Sequence, residues 1–252
     1  MWTLVIVINL LFFFFAWIGV SLYIRSIGPK KIFEHEKSYY KLKKKSELTF
    51  VTNKEGEKTE LLTIPNQDSK ELIIYFHGSA GRLVNVLYGA SRIGTVVSPA
   101  YSGYHESEGQ PSFQSVYETV DLTMNYLAKK GYKQENITVL GHSLGGSAAV
   151  YAAVHYPKLK KVVLVNAFYS VQRLCEMQYS IFCAFTYDFL NNGSLAPQTQ
   201  ARIVQFHDKN DKIVPFQQGQ DLFEKLGSAD KKFFVHGGTH RFFNVEQTLT
   251  KE

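Results

Sequence analysis

The pattern that most restricts the fold of this 252-residue chain is a regular alternation of short apolar runs with stretches of helical spacing. Residues 71–76, 93–99, 137–140, 162–165, 202–206 and 232–236 are mostly apolar runs of strand length. Between them, residues 112–130 set Phe113, Val116, Tyr117, Val120, Met124 and Leu127 at a helical period. Gly131 stops that helix. Residues 143–156 are small and apolar and end before Pro157, and residues 216–226 read as another helix. Apolar strands alternating with helices belong to a mostly parallel sheet covered on both faces. Such sheets bind their ligands outside the carboxyl ends of the strands. Residues 46–63 add two strands around a turn at 54–58. The expectation is one α/β domain over residues 46–252.

A segment of different character precedes that body. Residues 1–24 carry no charged side chain, and in residues 2–24 only Asn9 and Ser21 are clearly polar. A bilayer core needs about 20 helical apolar residues, and Trp17 and Tyr23 suit an interface. A signal peptide would open on a basic residue, carry a shorter apolar region and end in small residues. Residues 1–24 are therefore expected to be a transmembrane anchor. Residues 25–45 follow as a basic juxtamembrane collar: Arg25, Lys30, Lys31, Lys37, Lys41, Lys43, Lys44 and Lys45 against Glu34 and Glu36. The rest of the chain holds twenty basic and twenty acidic residues, so the net +6 sits in the collar. A nucleic-acid-binding body would carry its own basic patch, so that class is excluded. The collar instead attracts anionic headgroups, at about 1 kcal/mol per residue near the surface. It also favours a body on the cytoplasmic side.

Two further features bear on the compartment. Asn136-Ile137-Thr138 and Asn192-Gly193-Ser194 are glycosylation sequons that matter only for a lumenal body. With Asn136 opening a strand, both read as coincidence. Cys175 and Cys183 would lie about 12 Å apart on one helix, too far to bridge. They are expected to be unbridged and buried, in keeping with a reducing compartment.

The chemistry concentrates in Gly141-His142-Ser143-Leu144-Gly145-Gly146, where a strand ends and a helix begins. Gly-x-Ser-x-Gly in that setting is a nucleophile elbow, with Ser143 on a sharp turn above the sheet. A serine hydroxyl needs a base. Of eight histidines, His240 follows the last strand after Gly237-Gly238-Thr239 and can reach over the sheet edge; His236 is the substitute. The imidazole in turn needs an acid. Asp208 and Asp211 follow residues 202–206. Asp211 precedes the anchoring Ile213-Val214-Pro215 and is preferred, leaving Asp208 as a solvated loop charge. The order Ser143, Asp211, His240 is the one expected for such a site. Two backbone donors should hold an oxyanion: the N–H of Leu144 and one from the loop His77-Gly78-Ser79-Ala80-Gly81, for which Ser79 is chosen.

These motifs make the body resemble a serine-type α/β-hydrolase, most similar to the membrane-anchored, single-domain branch that includes protein depalmitoylases. The resemblance covers about residues 72–243. It rests on His77-Gly78, on the segment 101–112 (YSGYHESEGQPS), on the elbow, on Asp211-Lys212-Ile213-Val214-Pro215 and on Gly238-Thr239-His240. The family usually has Asn at Ser79, Arg at Ser102 and Gly at His105. Those departures spare the Ser/Asp/His set. Residues 171–200 stand where the superfamily inserts a lid, and here the lid is rich in Phe and Tyr. Tyr101, Phe182 and Phe185 are the candidate substrate-contacting residues.

The resemblance implies hydrolysis of an ester or thioester, with an acylated protein or a lipid as substrate and the bilayer as partner. A serine aminopeptidase and a catalytically idle membrane scaffold are the alternatives. Dehalogenase and epoxide hydrolase relatives place Asp at the elbow, unlike this chain. The histidines lack Cys or acidic partners at ligand spacing, and there is no dinucleotide or P-loop fingerprint. No metal and no cofactor are expected.

Overall fold

The computed structural model of the protein describes residues 2–33, 46–179, 183 and 190–251. In chain order the elements are α1 (Trp2–Ile32), β1 (Glu47–Thr52), β2 (Lys58–Ile64), β3 (Leu72–Phe76), α2 (Val84–Ile93) and β4 (Thr95–Pro99). Then come α3 (Phe113–Lys129), β5 (Ile137–His142), α4 (Gly145–His155), β6 (Lys161–Val165), α5 (Val171–Tyr179) and α6 (Asn192–Leu195). The chain finishes with β7 (Ile203–Asp208), α7 (Phe216–Lys225), β8 (Lys231–His236) and α8 (Val245–Thr250).

The described strands form one eight-stranded sheet in the order β1-β2-β4-β3-β5-β6-β7-β8. β1 and β2 pair antiparallel, as do β2 and β4, and every other neighbouring pair is parallel. The central strands are buried on both faces, as continuous apolar runs require. In β3, Leu72, Ile74 and Phe76 enter one core cluster while Ile73 and Tyr75 enter the other. The first cluster takes Val116, Val120, Met124 and Leu127 from α3 and Ala148, Ala149, Ala152 and Ala153 from α4. The second takes Val86, Leu87 and Ala90 from α2 and Val245 and Leu249 from α8. The sheet is thus sealed between two layers of helix, and its parallel strands deliver their carboxyl ends to one rim.

Local chemistry explains the boundaries. Ser112 starts α3 with a reciprocal cap: its Oγ accepts from the Ser115 N–H while the Ser112 N–H donates to Ser115 Oγ. A cap of this kind is worth about 1 kcal/mol. The helix α2 takes Ile93 from the apolar run expected at 93–99, so β4 begins only at Thr95. At Gly94 a Cβ would fall 2.5 Å from the Glu71 carbonyl oxygen, so the chain can turn there only without a side chain.

α1 continues through Ile32, beyond the expected anchor boundary at residue 24 and into the collar. Residues 34–45 of the collar lie outside the described residues. Among the residues whose side chains are described, no helix is long and apolar enough to cross a membrane.

The cysteine reading is also corrected. Cys175 and Cys183 form a disulfide, with their Cα atoms 5.7 Å apart. α5 ends at Tyr179, so the 12 Å separation of a continuous helix does not apply.

Candidate active site

The elbow is built by steric exclusion. Ser143 closes β5 at a φ of +54°, in the left-handed region that costs a non-glycine residue about 1–2 kcal/mol. Its N–H donates to the Val165 carbonyl at 2.9 Å, which ties the turn to β6. A Cβ at Gly145 would lie 2.0 Å from the Phe76 carbonyl oxygen, and one at Gly141 would lie 2.3 Å from that of Gly145. Only glycines let α4 start this close behind β3 and β5. Leu144 stands at the N-terminus of α4, where unpaired N–H groups and the helix dipole favour negative charge.

The structure brings the three expected side chains together. His240 Nε2 is 3.0 Å from Ser143 Oγ, and His240 Nδ1 is 2.6 Å from Asp211 Oδ2. Asp211 is buried, and its Oδ1 accepts from the N–H groups of Ile213 (2.8 Å) and Val214 (3.0 Å). Burial pushes the Asp211 carboxyl up. The hydrogen bond from His240, the His240 charge and the two backbone donors outweigh burial and hold the carboxyl below its ordinary value. An ionised, fixed acceptor at Nδ1 leaves Nε2 as the acceptor toward Ser143.

The base is also gripped by its backbone. His142, inside the elbow, donates from Nε2 to the His240 carbonyl at 2.6 Å. Asn166 donates from Nδ2 to the same carbonyl at 3.1 Å. Burial first, then the nearby His240 charge, lowers His142 to about 3, so its ring is neutral at physiological pH. Asn166 follows β6 at a φ of +49°, and its Oδ1 accepts from the Asp208 N–H (2.9 Å) and from His236 Nε2 (3.2 Å). One buried amide thus links the ends of β6, β7 and β8. Sequence reasoning missed Asn166; its position just past a strand's carboxyl end was the available signal.

Asp208, expected as a solvated charge, is instead buried against Asn166. His236, the substitute base, faces Asn166 and not Ser143.

The cleft above Ser143 is lined by Gly78, Ser79, Ala80, Gly81, Leu83, His142, Ile213, His240 and Arg241. Ser79 lines the same cleft as Ser143. Its loop is braced from below: the Tyr101 hydroxyl donates to the His77 carbonyl at 3.0 Å, and His77 Nδ1 donates to the Gly78 carbonyl at 2.7 Å. Tyr101, expected to touch substrate, is fully buried and absent from the cleft lining. It packs against His77 and Tyr104 and supports the loop. Phe182 and Phe185 lie outside the described residues. His105, where relatives usually have glycine, has a φ of +49°; the departure falls on a backbone position that favours glycine.

The loop's far end holds a buried ion pair that the sequence did not announce. Arg82 pairs with Glu60, and its Nη2 donates to the Ser98 carbonyl at 2.6 Å. Glu60 Oε2 accepts from the Glu106 N–H at 3.1 Å. The pair fastens the loop after β3 to β2 and β4.

Among the described residues, no group of three or more His, Cys, Asp or Glu is arranged to hold a metal ion.

Comparison with known proteins agrees with the fold. The family described as alpha/beta hydrolase fold matches residues 71–193. An uncharacterized membrane protein of Saccharomyces cerevisiae is 26% identical over 200 residues, 74% of this chain and 70% of that protein. Alpha/beta hydrolase domain-containing protein 17B of Xenopus tropicalis is 25% identical over 179 residues, 69% of this chain and 61% of that protein. Among solved structures, an esterase of Pyrococcus furiosus superposes with a TM-score of 0.67 at 14% identity, covering 84% of this chain and 92% of the esterase.

Proposed function

This chain is a member of the α/β-hydrolase superfamily, and we propose that it is a membrane-anchored serine hydrolase of carboxylic esters or thioesters. The observation that carries the reading is the continuous relay from Ser143 Oγ through His240 to Asp211, at 3.0 and 2.6 Å. Ser143 attacks the acyl carbonyl carbon while His240 Nε2 takes its proton. Asp211 stabilises the imidazolium and keeps the tautomer. The oxyanion is held by the N–H groups of Leu144 and Ser79. His240 then protonates the departing alcohol or thiol. Water, deprotonated by the same imidazole, releases the acid from the acyl-enzyme.

Arg241 at the cleft favours an ester over an aminopeptidase substrate. A guanidinium there repels a protonated α-amine and tolerates an anionic or neutral acyl compound. The acyl portion of a lipid or of an acylated protein is the substrate class we assign.

The anchor reading is supported by the uncharged sequence of residues 1–24. It is also supported by the exposure of consecutive apolar residues from Leu10 to Phe15 in α1. A helix that is apolar on every side finds its solvent in lipid. The likeness to a yeast membrane protein agrees with it.

The substrate class is tested by turnover of p-nitrophenyl acyl esters, acyl thioesters and aminoacyl amides by the full chain in detergent. Esters or thioesters should be turned over, with at least about a 10³-fold loss in Ser143→Ala. Preferential cleavage of the aminoacyl amides would replace this reading by a peptidase.

A further inference from the structure

We propose that the folded body resides on the lumenal or exoplasmic side of its membrane and is modified by an N-linked glycan at Asn136. Two independent observations carry this, and the compartment reading extends the anchor reading above. The first is the Cys175–Cys183 disulfide. Disulfides persist in oxidising compartments and are rare where thiol reductants are abundant. The collar's cations favour the opposite side, but a covalent bond that the cytoplasm would reduce outweighs a charge bias.

The second observation separates the two sequons. Asn192 is buried at 0% exposure, and its Nδ2 donates to the Phe168 carbonyl at 2.8 Å. A glycan on that nitrogen would break the bond and displace α6. Asn136 is exposed, in the turn that precedes β5. It lies at the amino end of the strand that carries Ser143 at its carboxyl end. Seven residues of extended chain separate them by about 23 Å. A glycan at Asn136 therefore leaves the cleft open. The fold rejects one acceptor and accommodates the other.

The chemistry balances with partners of known class. The Asn136 amide nitrogen forms a bond to C1 of a lipid-pyrophosphate-linked oligosaccharide. The C1–O bond breaks, the amide loses one proton, and the lipid pyrophosphate departs. Closing the disulfide removes two protons and two electrons from the thiols of Cys175 and Cys183. A dithiol–disulfide exchange protein accepts them and leaves reduced.

The test is expression of the full chain in a glycosylating eukaryotic host. Wild type should migrate as a singly glycosylated species that collapses on treatment with peptide N-glycosidase. Asn136→Gln should migrate at the collapsed position, and Asn192→Gln should keep the glycan. Maleimide should label Cys175 and Cys183 only after reduction. Lys130→Asn/Tyr132→Thr, which places an additional sequon on the exposed turn after α3, reports the compartment without relying on Asn136. An unmodified wild type and an unmodified Lys130→Asn/Tyr132→Thr, with both thiols labelled directly, overturn the proposal. Modification of Lys130→Asn/Tyr132→Thr alone overturns Asn136 as the acceptor. Reaction of Ser143 with a fluorophosphonate is read on the same samples. Loss of that reaction with the glycan present would overturn the hydrolase reading and leave the compartment standing.

Discussion

Asp211→Asn is expected to lower kcat by about 10⁴-fold while leaving the fold and KM nearly unchanged. The asparagine Oδ1 still accepts from the Ile213 and Val214 N–H groups that hold the loop. Its Nδ2 now faces His240 Nδ1 as a donor, so the imidazole carries its proton on Nε2. In that tautomer it cannot accept from Ser143 Oγ, 3.0 Å away. The negative charge that would stabilise the imidazolium is also gone. Steady-state kinetics on the best ester, with circular dichroism as the fold control, measure the effect. A loss below tenfold would mean that Asp211 is not the acid that serves His240.

Glu60→Ala is expected to cost about 3–5 kcal/mol of folding stability. Both side chains of the Glu60–Arg82 pair are almost completely buried. Truncating the acid strands a guanidinium away from water and removes the acceptor for the Glu106 N–H. The partners that remain, the Ser98 carbonyl and the Ser98 Oγ, supply dipoles and no countercharge. For a body of this size the unfolding temperature should drop by about 6–20 °C. Urea titration of the full chain in detergent gives the free energy. A change under about 1 kcal/mol would show that water reaches the pair. The pair also fixes the start of α2 behind the oxyanion loop, so ester turnover in Glu60→Ala should fall before global unfolding.

The parts of this architecture that were legible in the sequence are those imposed by sterics and solvent. The strands β3, β5, β6 and β7 are apolar because the sheet is covered on both faces. Gly141 and Gly145 are present because a Cβ has no room there. The placement of Ser143, Asp211 and His240 after β5, β7 and β8 followed from those two facts.

What stayed hidden depends on contacts between distant segments. Asn166 is one polar residue after a strand, and only the folded rim reveals that it bonds to His240 and receives from Asp208 and His236. Tyr101 lies in the segment that carries the family resemblance, yet its hydroxyl donates beneath the loop to the His77 carbonyl. The disulfide escaped because the spacing argument assumed one helix across residues 175–183, and α5 stops at Tyr179. Asp208 and Asp211 differ by three positions, and only the hydrogen-bond pattern separates a structural aspartate from the partner of His240.

The most direct measurement is the mass of the active-site peptide after the full chain has reacted with a fluorophosphonate. A single stoichiometric adduct on Ser143, no adduct in Ser143→Ala, and much slower labelling in Asp211→Asn are expected. A folded wild type that stays unmodified, or equal labelling of wild type and Ser143→Ala, would contradict Ser143 as the nucleophile.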